Sequence, residues 1–336
     1  MSLGIGVLGT GRIGLMHAQL IAQQIDGAHV SAVFDVVEAP AHAAAAATGA
    51  EVCASVDELC ARGDVDAVCI ATSTDTHVDA IVAAAAAGKP IFCEKPVSLD
   101  LAEVDRALAA VDAAGVSLQI GFNRRFDPSH AAVRESVQAG EIGDLHMLRI
   151  TSRDPEPPPI SYIEVSGGIF CDMTIHDFDM ARFVTGSEVV SVFATGGVRV
   201  DPAIGAAGDL DTVVLVLTHA NGVITTIDNS RQAAYGYDQR VEAFGAGGQV
   251  SSANVHRTTV ERLGTEGAAR PPLVHFFIER YAESYLEQWR SFVAAVTTGQ
   301  PTAVDGHDGR APLLLAAAAQ RSVAEGLAVT VADIGG

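Results

Sequence analysis

The 336-residue sequence predicts an α/β chain in two parts: an N-terminal doubly wound domain over residues 1–122, then a C-terminal α+β domain over 123–336 built on a mostly antiparallel sheet. From Leu3 to about Gly121, short β-rich apolar runs alternate with alanine-rich stretches of helical character. That rhythm belongs to a parallel sheet covered on both faces. After Asn123 the apolar runs lengthen, alternate with polar residues, and are separated by Gly, Asn and Asp turns, as in antiparallel strands with one covered face. The apolar fraction of 49% is ample for a core in each part.

In the first part, strands are expected at Leu3 to Leu8, Val30 to Phe34, Ala67 to Ala71, Ile91 to Cys93 and Ser117 to Gly121, with helices between them. In the second, strands are expected at His146 to Ser152, Val189 to Ala194, Thr212 to Thr218, Val223 to Asn229 and Arg240 to Phe244. Helices are expected at Pro128 to Ala139, Phe170 to Val184, Tyr281 to Thr297 and Asp308 to Glu325, the last capped by Gly326. The run Pro155-Glu156-Pro157-Pro158-Pro159 reads as a stiff loop at the mouth of a site or at a subunit contact.

Acidic residues outnumber basic ones 41 to 21, for a formal charge of −20. Such a field repels nucleic acid and anionic membrane surfaces, so neither is an expected partner. The longest apolar runs, such as Ile81 to Ala87, are far too short to span a bilayer. Met1-Ser2-Leu3 leads straight into a strand without a signal-type segment, and the five cysteines form no C-x-x-C pair. Reduced thiols in a cytoplasmic protein are expected.

Gly9-Thr10-Gly11-Arg12-Ile13-Gly14 follows the first strand and opens a helix, and Asp35 closes the second strand 21 residues after Gly14. Glycines in this spacing permit a tight turn, close approach of backbone to a pyrophosphate, and helix-on-strand packing, with the helix N-terminus facing the phosphates. This is the Rossmann fingerprint. Arg12 either lies over the pyrophosphate or is a solvated side chain at the helix start. Asp35 suits a ribose diol and repels a 2′-phosphate, and Val36-Val37-Glu38 offers no arginine to reverse that, so NAD is expected rather than NADP. Thr72, Ser73 and Thr74 follow the third expected strand, where their hydroxyls either cap the next helix or touch the cofactor. His77, in the first turn of that helix, reads as structural rather than as a proton carrier.

Only two of the 21 basic residues are lysines, Lys89 and Lys95, and Lys95 ends the run Phe92-Cys93-Glu94-Lys95. A chain that otherwise uses arginine retains lysine where a compact ammonium of adjustable pKa is needed. Lys95 is the first catalytic candidate; the plainer alternative is a surface lysine in a loop.

Gly167-Gly168-Ile169-Phe170-Cys171-Asp172-Met173-Thr174-Ile175-His176-Asp177-Phe178-Asp179 holds the other constellation. On a helix from Phe170 to Val184, Asp172 and His176 stand one turn apart, with Asp179 three positions further, while Phe170, Thr174, Phe178 and Ala181 take the opposite stripe. An imidazole is suited to taking a hydroxyl proton near neutral pH, and a neighbouring carboxylate can hold its tautomer. A solvated helix face is the plainer alternative. Metal binding is not expected, since no further His or Cys completes a ligand set.

The chain resembles the Gfo/Idh/MocA oxidoreductases from Leu3 to the C-terminal helices. The resemblance is carried by the glycine motif, by Glu94-Lys95-Pro96 and by Gly167-Gly168-x-x-x-Asp172-x-x-x-His176-Asp177. Within that family it is similar to the inositol dehydrogenases in Gly121-Phe122-Asn123-Arg124-Arg125-Phe126-Asp127-Pro128, in Ser152-Arg153-Asp154-Pro155 and in Asn229 to Asp238. The resemblance implies NAD-dependent oxidation of a ring hydroxyl of myo-inositol or a related inositol to a keto-inosose. Lys95, Asp172 and His176 would form the catalytic set, and Glu94 and Lys95 would adjoin the cofactor. Asn123, Arg124, Asp179, Tyr235 and Tyr285 would lie near the polyol. Asp154 joins them as a polar group able to tell one hydroxyl configuration from another.

Asn123 stands where several inositol dehydrogenases carry methionine, and Phe276-Phe277 where some carry tryptophan. Oxidation of a pyranose sugar is therefore the alternative activity, and a non-catalytic sensor of NAD and sugar the alternative from a different class. The resemblance also implies a homotetramer, which would cover the open face of the second sheet.

Overall fold

Six strands form the sheet of the N-terminal part in the computed structural model, which describes residues 2–334. Met1 and residues 335–336, included in the expected domain limits, lie outside them. The strands are β1 (Leu3–Leu8), β2 (Ala28–Phe34), β3 (Glu51–Val52), β4 (Ala67–Ile70), β5 (Ile91–Cys93) and β6 (Leu118–Ile120). Their order is β3-β2-β1-β4-β5-β6, every neighbouring pair parallel. The order reverses between β1 and β4, the switch point at which such sheets bind ligands beyond the carboxyl ends of their strands. The two-residue β3 is too short to have registered in the sequence pattern.

The chain divides into two compact units, and the first takes in Glu283–Ala311 as well as the residues up to Asn123. The division expected at 122/123 is thus one of several crossings. The cause lies in helix Ala282–Thr298, whose stripe of Tyr285, Trp289, Phe292 and Val293 is buried. Trp289 and Phe292 enter the core of the first sheet beside Ile5, Val7, Val33 and Phe92. The Trp289 and Phe92 rings stack with centroids 4.6 Å apart, a contact that adds to the burial of two large side chains.

The second unit, Arg124–Ala282 with the residues from Pro312, carries β7 (Leu145–Arg153), β8 (Val189–Gly197), β9 (Thr212–His219), β10 (Ile224–Ser230), β11 (Asp238–Gly245) and β12 (Gly248–Ser252). A separate hairpin of β13 (Arg262–Gly264) and β14 (Gly267–Ala269) follows, and β15 (Val329–Thr330) closes the main sheet. Its order is β12-β11-β7-β10-β9-β8-β15. The pair β7 and β10 is parallel and the others are antiparallel. Along β9, Val213, Leu215 and Leu217 are buried while Val214 and Val216 are exposed, the period-two pattern of a sheet covered on one face.

One helix departs from expectation. Phe170–Thr174 is π-helical and passes into an α-helix at Ile175–Thr185, so the turn that carries Asp172 is wider than a regular one. Such local widenings are frequent at functional sites. Among the described residues, no helix is long and apolar enough to cross a membrane.

Candidate active site

At the end of β1 the glycine motif serves three separate needs. Gly9 has φ +83°, and a Cβ there would lie 2.6 Å from Ala71 O. A Cβ on Gly14 would lie 1.8 Å from Gly9 O, so the helix packs on the turn only because that position is bare. Gly11 differs: nothing lies within 4 Å of the place its Cβ would occupy. Its backbone is extended, and it stands at the N-cap of helix Arg12–Gln24 with no side chain capping the helix amides. An open cradle over uncapped N–H groups at the positive end of a helix fits a pyrophosphate. Gly11 and Arg12 are exposed there, and Ile13 is half-buried.

Asp35 directly follows β2, with its carboxylate already oriented. Oδ2 accepts from Thr10 N at 2.7 Å and from the Thr10 hydroxyl at 3.1 Å, and Oδ1 accepts from Val37 N at 2.9 Å. After β4, Ser73 takes the N-cap of helix Thr74–Ala86, but its side chain does not cap the helix. The Thr76 hydroxyl instead donates to Ser73 O and meets the Thr72 hydroxyl, each at 2.8 Å. Capping by these hydroxyls was one of the two expected roles, and the observed bonds run within the turn instead. Thr72 and Thr74 are half-buried and Ser73 is exposed.

His77 is buried against two carbonyls, Nδ1 at 2.8 Å from Pro96 O and Nε2 at 3.2 Å from Thr72 O. Burial pushes its pKa down against the opposing pull of these two carbonyls, and the ring bridges the backbone of Thr72 and Pro96. Glu94 and Lys95, both half-buried, follow β5. The Glu94 carboxylate meets His17 Nε2 at 2.7 Å, and its Oε2 accepts from Lys95 N at 3.3 Å. Asn123 Nδ2 donates to Ser284 Oγ at 3.2 Å, and Tyr285 is buried with its ring edge-on to His17 at 5.8 Å.

In the second unit, Asp172 and His176 are the two partly accessible residues of the stretch 171–181, whose other members are buried. Asp172 is held on both oxygens: the Tyr162 hydroxyl donates to Oδ1 and Arg231 Nη1 to Oδ2, each across 2.9 Å. Arg231 is wholly buried and also donates through Nη2 to Asp209 at 3.1 Å. Asp209 Oδ1 in turn accepts from Ile169 N. A bridge of Asp172, Arg231 and Asp209 thereby ties the π-helical turn to its own start.

Three residues expected near the polyol are engaged by the protein. Arg124 Nη1 donates to Asp177 Oδ1 at 2.8 Å and to Ser152 Oγ at 3.0 Å, beneath the surface. Asp179 is buried and gripped by Arg125, with Nε at 2.9 Å and Nη2 at 2.6 Å. Asp177 also accepts from Ser152 Oγ at 2.6 Å and from Asn229 Nδ2 at 2.7 Å. Tyr235 is about half exposed; its hydroxyl donates to Asp238 Oδ2 at 2.6 Å and accepts from Arg153 at 2.9 Å.

Asp154 contrasts with these. Its backbone N–H donates to Ser230 O, and no hydrogen bond to its carboxyl is recorded among the described residues. Burial, followed by the nearby charge of Asp172, lifts its pKa to about 7, against the opposing pull of Arg124 and Arg231. A carboxyl half protonated near neutrality can donate to a hydroxyl or accept from one, a property suited to a neutral polyhydroxylated ligand.

Comparison with known proteins bears out the family. Residues 3–122 match the profile of the oxidoreductase family with an NAD-binding Rossmann fold, and residues 130–251 match the GFO/IDH/MocA C-terminal domain. The chain belongs to the Gfo/Idh/MocA oxidoreductases. It is 48% identical to myo-inositol 2-dehydrogenase of Thermotoga maritima over 98% of this chain and 99% of that one. To inositol 2-dehydrogenase of Rhizobium meliloti it is 49% identical, covering 99% and 100%. Among solved structures, scyllo-inositol dehydrogenase from Lactobacillus casei with bound NAD(H) and scyllo-inositol superposes with a TM-score of 0.92, at 32% identity and covering 99% and 100%.

For this Gfo/Idh/MocA chain, several residues that hold the candidate residues within each unit were not marked by any motif: His17 and Trp289 in the first, and Tyr162, Asp209, Arg125 and Arg231 in the second. Arg231 sits in the Asn229 to Asp238 segment that carries part of the resemblance, and a lone arginine in an acidic, turn-rich stretch was the available signal. Trp289 is the chain's single tryptophan, which marked it for a core without indicating which one. Nothing in sequence spacing ties Arg125 to Asp179 or Tyr162 to Asp172.

Proposed function

We propose that the protein is an NAD-dependent inositol 2-dehydrogenase that oxidises a ring hydroxyl of myo-inositol or a related inositol to the keto-inosose. The observation that carries the substrate class is the Asp154 carboxyl, left for a ligand where the neighbouring carboxylates Asp177 and Asp179 are taken up by arginines. Near-full-length similarity to inositol 2-dehydrogenases supports the same reading.

NAD, when bound, would supply the redox chemistry as the acceptor of the hydride, a hydrogen with its electron pair, that leaves the carbon bearing the reacting hydroxyl. Gly9, Gly11, Arg12, Ile13 and Gly14 would hold its pyrophosphate, Asp35 its ribose diol, and Thr72, Ser73, Thr74 and Glu94 its far half, while His77, buried against the Thr72 and Pro96 carbonyls, would support that loop rather than touch the cofactor. His176 takes the hydroxyl proton. Asp172, fixed by Tyr162 and Arg231, supports the imidazolium that forms. Lys95 donates hydrogen bonds to the reacting oxygen as negative charge develops on it. In this reading Asn123, Asp154, Tyr235 and Tyr285 would contact the polyol, and Arg124 and Asp179, held in buried ion pairs with Asp177 and Arg125, would position their neighbours.

A homotetramer accounts for the open face of the second sheet. Met147, Phe193, Val214, Val216, Ile224 and Phe244 are exposed on β7 to β11, and an apolar area of this kind marks an interaction surface. Gel filtration distinguishes a tetramer from a dimer. Five buried free cysteines suit a cytoplasmic enzyme of inositol breakdown.

The activity is tested by kcat/KM with NAD over the inositol isomers and common aldoses. An inositol as best substrate supports the proposal. A pyranose as best substrate replaces it with a sugar dehydrogenase, and binding without turnover across the panel replaces it with a sensor.

A further inference from the structure

His17 is fully buried on helix Arg12–Gln24, and no role in the reaction assigned above involves it. Both of its ring nitrogens are engaged: Trp289 Nε1 donates to Nδ1 at 2.9 Å, and Nε2 meets Glu94 Oε1 at 2.7 Å. An indole N–H can only donate, so Nδ1 must accept and the ring hydrogen sits on Nε2, pointing at the carboxylate. The tautomer is therefore set by Trp289, which the stack on Phe92 holds in place.

Glu94 is gripped on its other side as well. A Cβ on Gly121 would lie 3.0 Å from the Glu94 carboxylate, so any larger residue there would press on the side chain and oblige it to shift. The carboxylate is thus folded back beside the Lys95 amide. On the far flank, His77 Nδ1 meets Pro96 O at 2.8 Å. Two buried histidines accordingly pin the residues on either side of Lys95.

We propose that His17 is a positioning residue for Lys95: its Nε2–H, fixed by Trp289, anchors Glu94 and thereby sets the place and exposure of the neighbouring ammonium. This rests on the reading of Lys95 as a group of the reaction, but the anchoring can be measured without turnover. The chain has only two lysines, and Lys89 Nζ is tied to Arg62 O and Val65 O, so it serves as an internal reference for amine acylation followed by mass spectrometry.

His17→Gln places an amide oxygen and an amide N–H at nearly the separation of the two ring nitrogens and can keep both bonds; His17→Leu keeps neither. In the holoenzyme, His17→Leu is expected to raise the ratio of Lys95 to Lys89 labelling about threefold or more, and to lower kcat about tenfold with KM within about threefold. His17→Gln should recover most of both. Trp289→Phe, which removes the indole donor together with part of the buried ring, should move the labelling ratio in the same direction and serves if His17→Leu does not fold.

An unchanged ratio in folded His17→Leu or Trp289→Phe would overturn the proposal, as would His17→Gln being as impaired as His17→Leu while binding NADH normally. A changed ratio that His17→Gln restores, in a protein that oxidises no inositol, would uphold the anchoring and refute the inositol activity instead.

Discussion

Arg231 Nη1 stands 2.9 Å from Asp172 Oδ2, and the guanidinium making that contact is wholly buried. Burial works against its charge, yet Asp172 and Asp209 more than offset this and its pKa is raised. The proposed partner of His176 is therefore a carboxylate locked from below. Arg231→Lys keeps a charge but has no fork to span Asp172 and Asp209, so kcat is expected to fall about 10- to 100-fold. Arg231→Met, which strands two carboxylates, should also cost about 3–5 kcal/mol in denaturant unfolding. Wild-type kcat in Arg231→Lys would detach Arg231 from the reaction.

Lys95→Arg tests the compact ammonium. Charge is retained, but the larger planar group cannot occupy the same volume beside the reacting oxygen, and kcat should fall about 100-fold or more. Steady-state kinetics decide it, and near-normal kcat would remove Lys95 from the mechanism.

The glycine motif makes a divided prediction. Gly11 has an extended backbone and open space at its Cβ, so Gly11→Ala should change stability by no more than about 0.5 kcal/mol. It should still weaken NAD binding about tenfold or more by filling the cradle. Gly14→Ala, whose Cβ would lie 1.8 Å from Gly9 O, should lose the fold. Thermal melts and NADH fluorescence titrations separate the two, and Gly11→Ala with unchanged affinity would contradict the assigned pyrophosphate site.

Asp154 gives the pH dependence a sign. With its pKa lifted from 3.8 to about 7, the folded chain holds a proton that the unfolded chain has released between those values. Its contribution to stability is present below the lower value and is lost as pH rises through about 7. Asp154→Asn has no charge to lose, so it should be more stable than wild type at about pH 8 by about 1–3 kcal/mol. That gain should vanish near pH 4, as denaturant melts at the two pH values would register. An equal gain at both would refute the buried-carboxyl reading.

The sequence carried five of the six strands of the first sheet because each is a short apolar run bounded by polar residues, glycine or proline, and β1 and β5 begin and end where expected. It carried the mainly antiparallel second sheet through the alternation seen in β9. The return of Glu283–Ala311 to the first unit was not legible, because the stripe of Tyr285, Trp289 and Phe292 specifies burial without naming the surface that provides it. The π-helical turn at Phe170–Thr174 was likewise hidden, since its residues fit a regular helix equally well. Lys95, Asp172 and His176 stood out by residue type and spacing. Their supports, Arg231, Tyr162 and His17, come from distant segments that only folding brings to them.

Oxidation of myo-inositol carrying deuterium on carbon 2 tests the central claim most directly. Incubated with NAD and the enzyme, it should give NADH that carries the label, one equivalent for each keto-inosose formed. Unlabelled NADH would move the reaction to another carbon, and the absence of NADH from this and every other inositol isomer would contradict the inositol dehydrogenase reading altogether.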